Sequence, residues 1–425
     1  MDNTQANVSP PTPRIRKANR KGEVIRPQCI DDLIDEGHPA RIVWGFVDGL
    51  DLSDLYAQVK SVEDHAGRPA IDAKILFAVW LYATLDSETS ARRISTFCKE
   101  FNPYIWLCGG IEINHHTLSD FYTSHADCLE KQFTLHLASL SQQGLVDLET
   151  VAQDGMRVRA SAGAASFRRR ETLEESLEAA EKHMDNLAKQ RVENPLVVDK
   201  RKQAAKERAA RERCERITEA QDQLPDVEAK KVEKDRKKAR VSTTDPDARV
   251  MKVSDGGFRP AYNVEFSTDT KHQIIVGVDV INEGSDQNQL GPMLEQIHER
   301  TGKYPDNALV DGGFANQKEI QNSTLIDVTV YAPVPKPKDN NRNRYQPMEN
   351  DSKPVADWRK RMGTDEAKEI YKDRAATAEC VNAIAHNRGL SQFAVRGLKK
   401  VKAVTLWFVL AHNVMREASL RPLVA

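Results

Sequence analysis

The amino-acid sequence predicts an α/β protein in which a mixed sheet with helices is interrupted by a charged helical insertion and preceded by an all-α N-terminal domain. Helical periodicity runs from residue 30 to residue 145. Short stretches rich in Val, Ile and Thr then alternate with helical ones, which is typical of a sheet covered by helices. A stretch rich in Lys, Arg, Glu and Ala at residues 171–240 divides the sheet region and is typical of solvated helix.

The net charge, the cysteines and the apolar runs of the chain limit the classes of protein to which it can belong. The chain has 425 residues and a formal net charge of −1, so any binding to a polyanion must come from local basic patches. Its six cysteines form no CxxC pair, which indicates a reduced compartment. The N-terminus lacks an apolar signal core, and no apolar run approaches the ~20 residues of a membrane span. We therefore expect a cytoplasmic protein that does not associate with a membrane.

The N-terminal region divides into an arm and a helical domain. Residues 1–29 are rich in Pro, Asn and basic side chains, which predicts a flexible basic arm. Residues 30–145 contain helical stretches separated by short polar breaks, among them IDAKILFAVWLYATL, SARRISTFCKEF and HTLSDFYTSHADCLEKQFTLHLASLSQQGL. A compact helical domain is expected there.

The charged stretch at residues 171–240 predicts a helical hairpin inserted into the sheet domain. Apolar residues spaced by four and three form a short heptad seam, which comprises Leu173, Leu177, Ala180, Met184 and Leu187. Asn194-Pro195 breaks this first helix. A second charged helix is expected from about residue 198 to residue 220.

The sheet domain is expected to comprise residues 146–170 and 241–425. Strands are predicted at LVDLETVAQDG, RPAYNVEFSTDT, HQIIVGVDVIN, NALVDGG and DVTVYAPVP. Helices are predicted at QLGPMLEQIHERTG and NQKEIQNSTLI, and again from about Glu366 almost to the end. This order of three strands, helix, strand, helix and strand indicates a mixed sheet.

Asp-Gly pairs end two of the predicted strands, at Asp154 in VAQDGM and at Asp311 in LVDGG. A simple turn explains each pair on its own, because Asp-Gly is a common turn dipeptide. If the two strands are neighbours, their ends line a crevice of the kind that binds ligands, and the two carboxylates converge. Two negative charges at such a short distance need a compensating cation. Carboxylate oxygens with no His or Cys nearby favour Mg²⁺ or Mn²⁺.

A third carboxylate would allow the site to hold two ions about 3.5–4 Å apart. Glu379 in YKDRAATAECVNAIAHNRG is the candidate, with Tyr371 and Arg374 on the preceding turns of the same predicted helix. A solvent-facing helical glutamate is the alternative interpretation, in which Arg374 forms an ordinary surface ion pair.

Several stretches together resemble a known family. They are ARIVWGFVDGLDLSDLY, GRPAIDAKILFAVWLYATLDSETSARRI, NHHTLSDF, QDGMRVRASAG, TTDPDARVMK, AYNVEF, LVDGGFAN and RGLKKVKAVTLWFVLAHNVMR. Over nearly its whole length outside the arm, the chain resembles bacterial insertion-sequence transposases of the IS1182 group, relatives of the IS5 and IS4 transposases. The resemblance implies a ribonuclease H-like fold with an Asp-Asp-Glu triad at Asp154, Asp311 and Glu379.

The resemblance also implies an activity: nicking of DNA at insertion-sequence ends, followed by attack of the freed 3′-hydroxyl on target DNA. The triad would hold two Mg²⁺ ions, or Mn²⁺, with Asp154 bridging both and Asp311 and Glu379 each holding one. Joining two DNA ends implies a homo-oligomer on DNA. The chain departs from its relatives at Met156 and Phe314, which replace hydroxyl residues, and lacks the Pro-x-Phe-Gly stretch that often follows the glutamate.

Candidate DNA contacts occur in both halves of the chain. SARRISTFCKEF and EINHHTLSDFYTSH predict either a helix-turn-helix or a plain helical bundle. In a helix-turn-helix, Arg92, Arg93 and Lys99 would contact phosphates, and His115, His116 and Thr117 would begin a second helix near base edges. In a bundle, Asn114 simply caps that helix. Further phosphate-binding candidates are Lys336, Lys338, Arg342, Arg344, Arg374, Arg396, Lys399 and Lys400. Trp358 would either stack on an unpaired base or lie in the core.

Two other functions stay open. One is a catalytically inactive, transposase-derived DNA-binding protein, against which the intact triad argues, because a helix-turn-helix alone would not require Asp311. The other is a charged-helix scaffold, which does not explain the strands on either side of residues 171–240. Metal-dependent cleavage of end-bearing DNA distinguishes the transposase from both.

Overall fold

α-Helices form the N-terminal region. The computed structural model describes residues 29–59, 61, 69–193, 200–337 and 342–421, so the predicted basic arm, apart from Cys29, lies outside the described residues. The helices are α1 (Pro39–Asp48), α2 (Ser53–Tyr56), α3 (Ala73–Leu85), α4 (Ala91–Glu100), α5 (Asn102–Cys108), α6 (His115–Ser124) and α7 (Ala126–Gln142). Asp72 begins α3 by accepting a hydrogen bond from the Lys74 amide at 2.8 Å. Helix α3 is apolar on nearly every side because it lies at the centre of this bundle.

Helix α5 corrects the predicted helix-turn-helix. The two expected helices exist as α4 and α6, but α5 stands between them where a polar turn was expected. Pro103 suits the first turn of a helix, and burial of Tyr104 and Leu107 stabilises α5 against the bundle. Helices α4 and α6 still approach one another, since the Ser95 hydroxyl donates to the Ile113 carbonyl at 2.7 Å.

The strands form one mixed sheet and one small ladder. They are β1 (Thr150–Arg159), β2 (Phe167–Arg168), β3 (Val241–Ser242), β4 (Arg249–Lys252), β5 (Phe258–Asp269), β6 (Ile275–Ile281), β7 (Asn307–Leu309) and β8 (Thr329–Tyr331). Strand β1 pairs antiparallel with β5 and parallel with β7, and β7 pairs parallel with β8. Strands β4 and β6 pair in succession with the other edge of β5, while β2 pairs only with β3. The five predicted strands are thus present, and β2, β3 and β4 are additional.

Strand β1 does not end at Asp154, as the sequence predicted, but continues through it to Arg159. The reason is the antiparallel partner, because β5 pairs with β1 from Val151 to Arg159. The parallel partner β7 pairs only as far as Ala152, opposite Leu309. Asp154 therefore lies at the end of the β1–β7 ladder but in the middle of the β1–β5 ladder.

The charged insertion is a helical hairpin of α8 (Arg170–Glu193) and α9 (Lys200–Ala229). Buried positions recur every seventh residue on both helices: Leu173, Ala180 and Leu187 on α8, and Gln203, Ala210, Ile217 and Leu224 on α9. Leu177 and Met184 of the predicted seam are half-buried. Helix α9 continues past the predicted end to Ala229 despite Pro225, because Leu224 packs in a small core with Leu173 at the base of the hairpin.

The remaining helices cover the sheet. They are α10 (Leu290–Thr301), α11 (Gln317–Leu325), α12 (Lys353–Met362), α13 (Asp365–Arg374), α14 (Cys380–Asn387) and α15 (Leu398–Leu420), with a π-helical turn at Ala375–Glu379 between α13 and α14. Helix α15 joins the bundle to the sheet, since Trp407 contacts Phe77 of α3 and Phe408 contacts Phe266 of β5, with ring centroids 4.6 and 5.5 Å apart. None of the helices in the described ranges is long and apolar enough to cross a membrane.

Candidate active site

The sheet brings Asp154 and Asp311 to the same end of the β1–β7 ladder, close enough for their charges to interact. Each lies two positions beyond the last parallel pair, Ala152 with Leu309, at the point where β1 and β7 separate. The Asp154 Oδ1 accepts a hydrogen bond from the Gly155 amide at 3.1 Å. The Asp311 Oδ1 accepts from the amides of Gly313 and Phe314 at 2.7 and 3.3 Å, so this aspartate also closes the turn that follows its strand. The turn interpretation thus holds for Asp311 and fails for Asp154.

The Asp154 carboxylate is largely shielded from solvent. Burial raises the pKa of its carboxyl group, Arg374 opposes that rise, and the neighbouring carboxylate of Asp311 adds to it. The Arg374 Nη2 lies 3.0 Å from the Asp154 Oδ1, and the Asn382 side-chain amide donates to the Asp154 Oδ2 at 3.0 Å. Both carboxylate oxygens of Asp154 therefore have partners, one of them cationic.

A π-helical turn places Glu379 beside this group. The Glu379 Oε1 lies 3.4 Å from the Arg374 Nη1, five positions away in sequence. On a regular α-helix five positions turn about 500°, so the two side chains would point about 140° apart. The turn Ala375–Glu379 is wider and brings them to one side, and its Thr377 and Ala378 are buried. Arg374 thus bridges Asp154 and Glu379.

Glu379 differs from the two aspartates in its exposure. Its side chain is 62% exposed, whereas those of Asp154 and Arg374 are 17% and 12% exposed. Within the part of the chain that the structure describes, no three His, Cys, Asp or Glu side chains stand close enough to hold a metal ion together. The structure accordingly brings Asp154 and Asp311 together and links Glu379 to them through Arg374.

A second acidic group, which the sequence analysis missed, lies against Gly155. A Cβ at Gly155 would stand 2.7 Å from the Glu265 Oε1 and 2.9 Å from both the Asn263 Oδ1 and the Asp286 Oδ1. The Asn263 amide donates to the Glu265 Oε1 at 2.6 Å and to the Asp286 Oδ1 at 2.8 Å. Burial, followed by the neighbouring charge of Asp286, raises the pKa of Glu265 well above its usual range.

The same group explains the arginine that follows Asp154 in the sequence. The Arg157 Nη2 lies 2.9 Å from the carboxylate of Asp286 and donates to the Gly284 carbonyl at 3.1 Å, while Nη1 donates to the Gly155 carbonyl at 3.2 Å. Two polar residues at alternate positions of AYNVEF put Asn263 and Glu265 on one strand face, which was the available signal. Asp286 lies in a loop, where no periodicity marks it.

The predicted DNA-contacting residues of the helical region are partly engaged with carboxylates. Arg93 pairs with Glu88 at 2.9 Å and Lys99 with Glu112 at 2.7 Å, while Arg92 is exposed near His115. The Asn114 side chain accepts from the His116 amide at 2.8 Å, which confirms the predicted cap. His116 and Thr117 are exposed and His115 is half-buried at the start of α6.

The candidates in the C-terminal half are mostly at the surface. Lys336, Arg342 and Lys400 are exposed, and Lys338 lies outside the described residues. Arg344 stacks over Tyr345 at 5.0 Å, Arg396 donates to the Ser161 carbonyl at 3.2 Å, and Lys399 lies 3.4 Å from Asp127. Trp358 is buried and donates to the Ala332 carbonyl at 3.2 Å, so its interpretation as a base-stacking residue is wrong.

Two parts of the chain match models of known protein families. Residues 335–417, which include Arg374 and Glu379, match a family model described as Transposase DDE domain. Residues 28–124, the greater part of the helical region, match one described as Transposase domain (DUF772). No curated protein matches the chain, and no solved structure does. The two family matches together indicate an insertion-sequence transposase.

Proposed function

We propose that the chain is a DNA transposase of the Asp-Asp-Glu type, which nicks DNA at the ends of its insertion sequence and transfers the freed ends to target DNA. The observation that carries this proposal is the meeting of Asp154 and Asp311 at the point where β1 and β7 separate, with Glu379 joined to them through Arg374. The two transposase family matches support it independently.

The sheet order supports a ribonuclease H-like fold for the catalytic part. The first three long strands run antiparallel, and two shorter parallel strands extend the sheet on the other side of β1. In that arrangement the first aspartate lies on the central strand β1 and the second follows β7. The glutamate lies on the helical segment after β8. We propose residues 30–145 as the DNA-binding domain, with residues 146–170 and 241–425 forming the catalytic one.

The donor set fits a divalent cation. Asp154 and Asp311 are close enough for one charge to raise the pKa of the other, and a guanidinium already lies between Asp154 and Glu379. Carboxylate oxygens without His or Cys suit Mg²⁺ or Mn²⁺. Asp154 and Asp311 would hold the ion, and Glu379 would complete the set for two ions once it leaves Arg374. When bound, the ions supply activation of the nucleophile and stabilisation of phosphate charge.

The protein residues have distinct tasks in this mechanism. Asn382 holds one oxygen of Asp154, which fixes the direction of the other. Gly312 adds no side chain next to Asp311, and the nearest atom to a Cβ there would be 4.0 Å away, which leaves room for a phosphodiester to approach Asp311. Arg374, once released from Asp154 and Glu379, would contact the scissile phosphate through its planar guanidinium. Both ends of the element must reach such a site, so we propose a homo-oligomer on DNA, acting in the cytoplasm.

Cleavage of supercoiled DNA that carries the element's own ends tests this function. We expect nicks at the ends in Mg²⁺, none in EDTA, and none with Asp311→Asn. Asp306→Asn is the matched control, because Asp306 is an exposed aspartate just before β7 and should leave nicking unchanged. DNA binding without nicking by the unsubstituted protein would reject the enzyme and favour a transposase-derived DNA-binding protein. Nicking by Asp311→Asn would reject the assigned site.

A further inference from the structure

We propose that the basic surface at the base of the α8–α9 hairpin binds the phosphate backbone of the DNA that runs away from the candidate active site. The hairpin-base patch is defined by seven residues: Arg168, Arg169, Lys231, Lys234, Arg236, Lys237 and Arg240. The inference rests on the proposed function, because it takes DNA as the partner, and it gives the inserted hairpin a task that the catalytic residues do not supply.

Unpaired positive charge sets this patch apart. All seven side chains are exposed, and none forms an ion pair with another residue that the structure describes. Their neighbours Arg170, Lys230 and Lys238 do pair, with Glu228, Glu283 and Asp235 at 2.7, 2.6 and 2.8 Å. The formal net charge of the chain is only −1, so binding to a polyanion requires a local concentration of cations such as this one.

The backbone beneath the patch is held in place. Residues Glu233–Lys238 form a 3-10 helix, and Ala239 and Val241 on its C-terminal side are buried against Leu173 and Leu224. Strands β2 and β3 pair Arg168 with Val241, which attaches the two halves of the patch to each other. A surface with a fixed backbone loses less conformational entropy on binding than a free chain would.

The patch borders the loop that lines the candidate active site. The Lys230 Nζ lies 2.6 Å from Glu283 on that loop. The next residue, Gly284, accepts a hydrogen bond from Arg157, and Asp286 pairs with Arg157 against Gly155. A short chain of contacts therefore connects the patch to the strand that carries Asp154. We take DNA bound at the candidate active site to run along this loop to the patch.

The chemistry of the patch selects a polyanion over a protein partner. Within residues 230–240, Val232 is the only large exposed apolar side chain. The same segment has two acidic residues, Glu233 and Asp235, and Asp235 is already paired with Lys238. Protein interfaces are built around apolar and aromatic anchors, whereas DNA backbones are met by Lys and Arg. Duplex DNA carries one negative charge per about 1.7 Å of its axis, so several exposed cations close together in the sequence suit it as a partner.

Salt dependence of DNA binding tests the patch. The full chain with Lys234→Ala, Arg236→Ala and Lys237→Ala combined is compared with the unsubstituted chain by fluorescence anisotropy on a duplex of random sequence. Each lost phosphate contact reduces the slope of log K against log salt by about 0.9, so we expect a slope shallower by about 2–3 between about 50 and 200 mM salt. Affinity at the low-salt end should fall at least about tenfold.

A second triple variant, Lys206→Ala, Arg208→Ala and Arg213→Ala, is the matched control. It removes the same charge from exposed positions of α9 outside the patch, so its slope should equal that of the unsubstituted chain. An unchanged slope in the patch variant, or equal losses in both variants, would overturn the proposal. Nicking by the unsubstituted chain separates the two proposals. If that chain does not nick but the patch variant has a shallower salt slope, only the catalytic function is rejected. If that chain nicks normally and the slope of the patch variant is unchanged, only the patch is rejected.

Discussion

Gly155→Ala is the sharpest test of the packing behind Asp154. The added methyl group would stand 2.7 Å from the Glu265 Oε1 and 2.9 Å from the oxygens of Asn263 and Asp286. Real Cβ atoms almost never come so close to another heavy atom, and all three oxygens belong to side chains held by hydrogen bonds. The methyl group cannot be accommodated by moving one flexible chain end, so the whole group must shift.

The size of the effect follows from two contributions. Overpacking a closely packed site costs about 1–3 kcal/mol. A displaced Asn263 also weakens its hydrogen bonds to Glu265 and Asp286, which are 2.6 and 2.8 Å long, at about 1 kcal/mol each. Because some relaxation is shared between the two contributions, we expect Gly155→Ala to lower the free energy of unfolding by about 2–4 kcal/mol.

Urea unfolding followed by circular dichroism measures this loss, and hydrogen exchange of the β1 and β5 amides locates it. Gly312→Ala is the control, because its nearest neighbour, the Pro333 carbonyl oxygen, is 4.0 Å from the new Cβ. The control should stay within about 0.5 kcal/mol of the original protein. A Gly155→Ala protein as stable as the control would refute the assignment of the oxygens around Gly155.

Three further predictions concern other parts of the molecule. Arg374→Gln should strengthen the binding of Tb³⁺, a luminescent metal probe, several-fold in titrations, because the guanidinium no longer competes for Asp154 and Glu379. Unchanged or weaker binding would contradict this competition. Burial lowers the pKa of His412 to about 4, so the unfolded chain takes up a proton that the folded chain does not. Stability should therefore fall as the pH drops from about 6.5 to 4, by up to about 1.4 kcal/mol per pH unit, and His412→Gln should remove that slope in urea midpoints; parallel slopes would disprove it. Leu187→Ala should cost about 2–5 kcal/mol within the hairpin. Hydrogen exchange should then speed up in α8 and α9 but not in β1, and uniform acceleration would argue against a separate hairpin core.

Local patterns predicted most of the elements correctly. The strands at RPAYNVEFSTDT and HQIIVGVDVIN correspond to β5 and β6, and the heptad seam corresponds to the buried face of α8. These predictions succeeded because side-chain periodicity reflects which face of an element is buried. The strand β4 and the helix α5 were missed, since short elements carry too few periods to be distinguished from loops.

The sequence by itself determined that two Asp-Gly pairs follow short apolar runs and that a glutamate lies in a late helical segment. Only the tertiary structure decided how they meet. The parallel register of β1 and β7 places Asp154 beside Asp311, and a π-helical turn rather than an α-helical one directs Glu379 toward Arg374. Strand register and helix widening depend on contacts between residues far apart in the chain, which a local pattern does not record.

The acidic group around Gly155 shows the same division. Asn263 and Glu265 at alternate positions were visible in the sequence as polar residues on one strand face. That this face lies against Gly155, and that Asp286 and Arg157 complete the group, follows from antiparallel pairing and from a loop more than a hundred positions away. Composition and periodicity determined most of the helices and strands and the charged hairpin. Long-range pairing decided which charges face each other, because electrostatic interactions depend on distance in space and not along the chain.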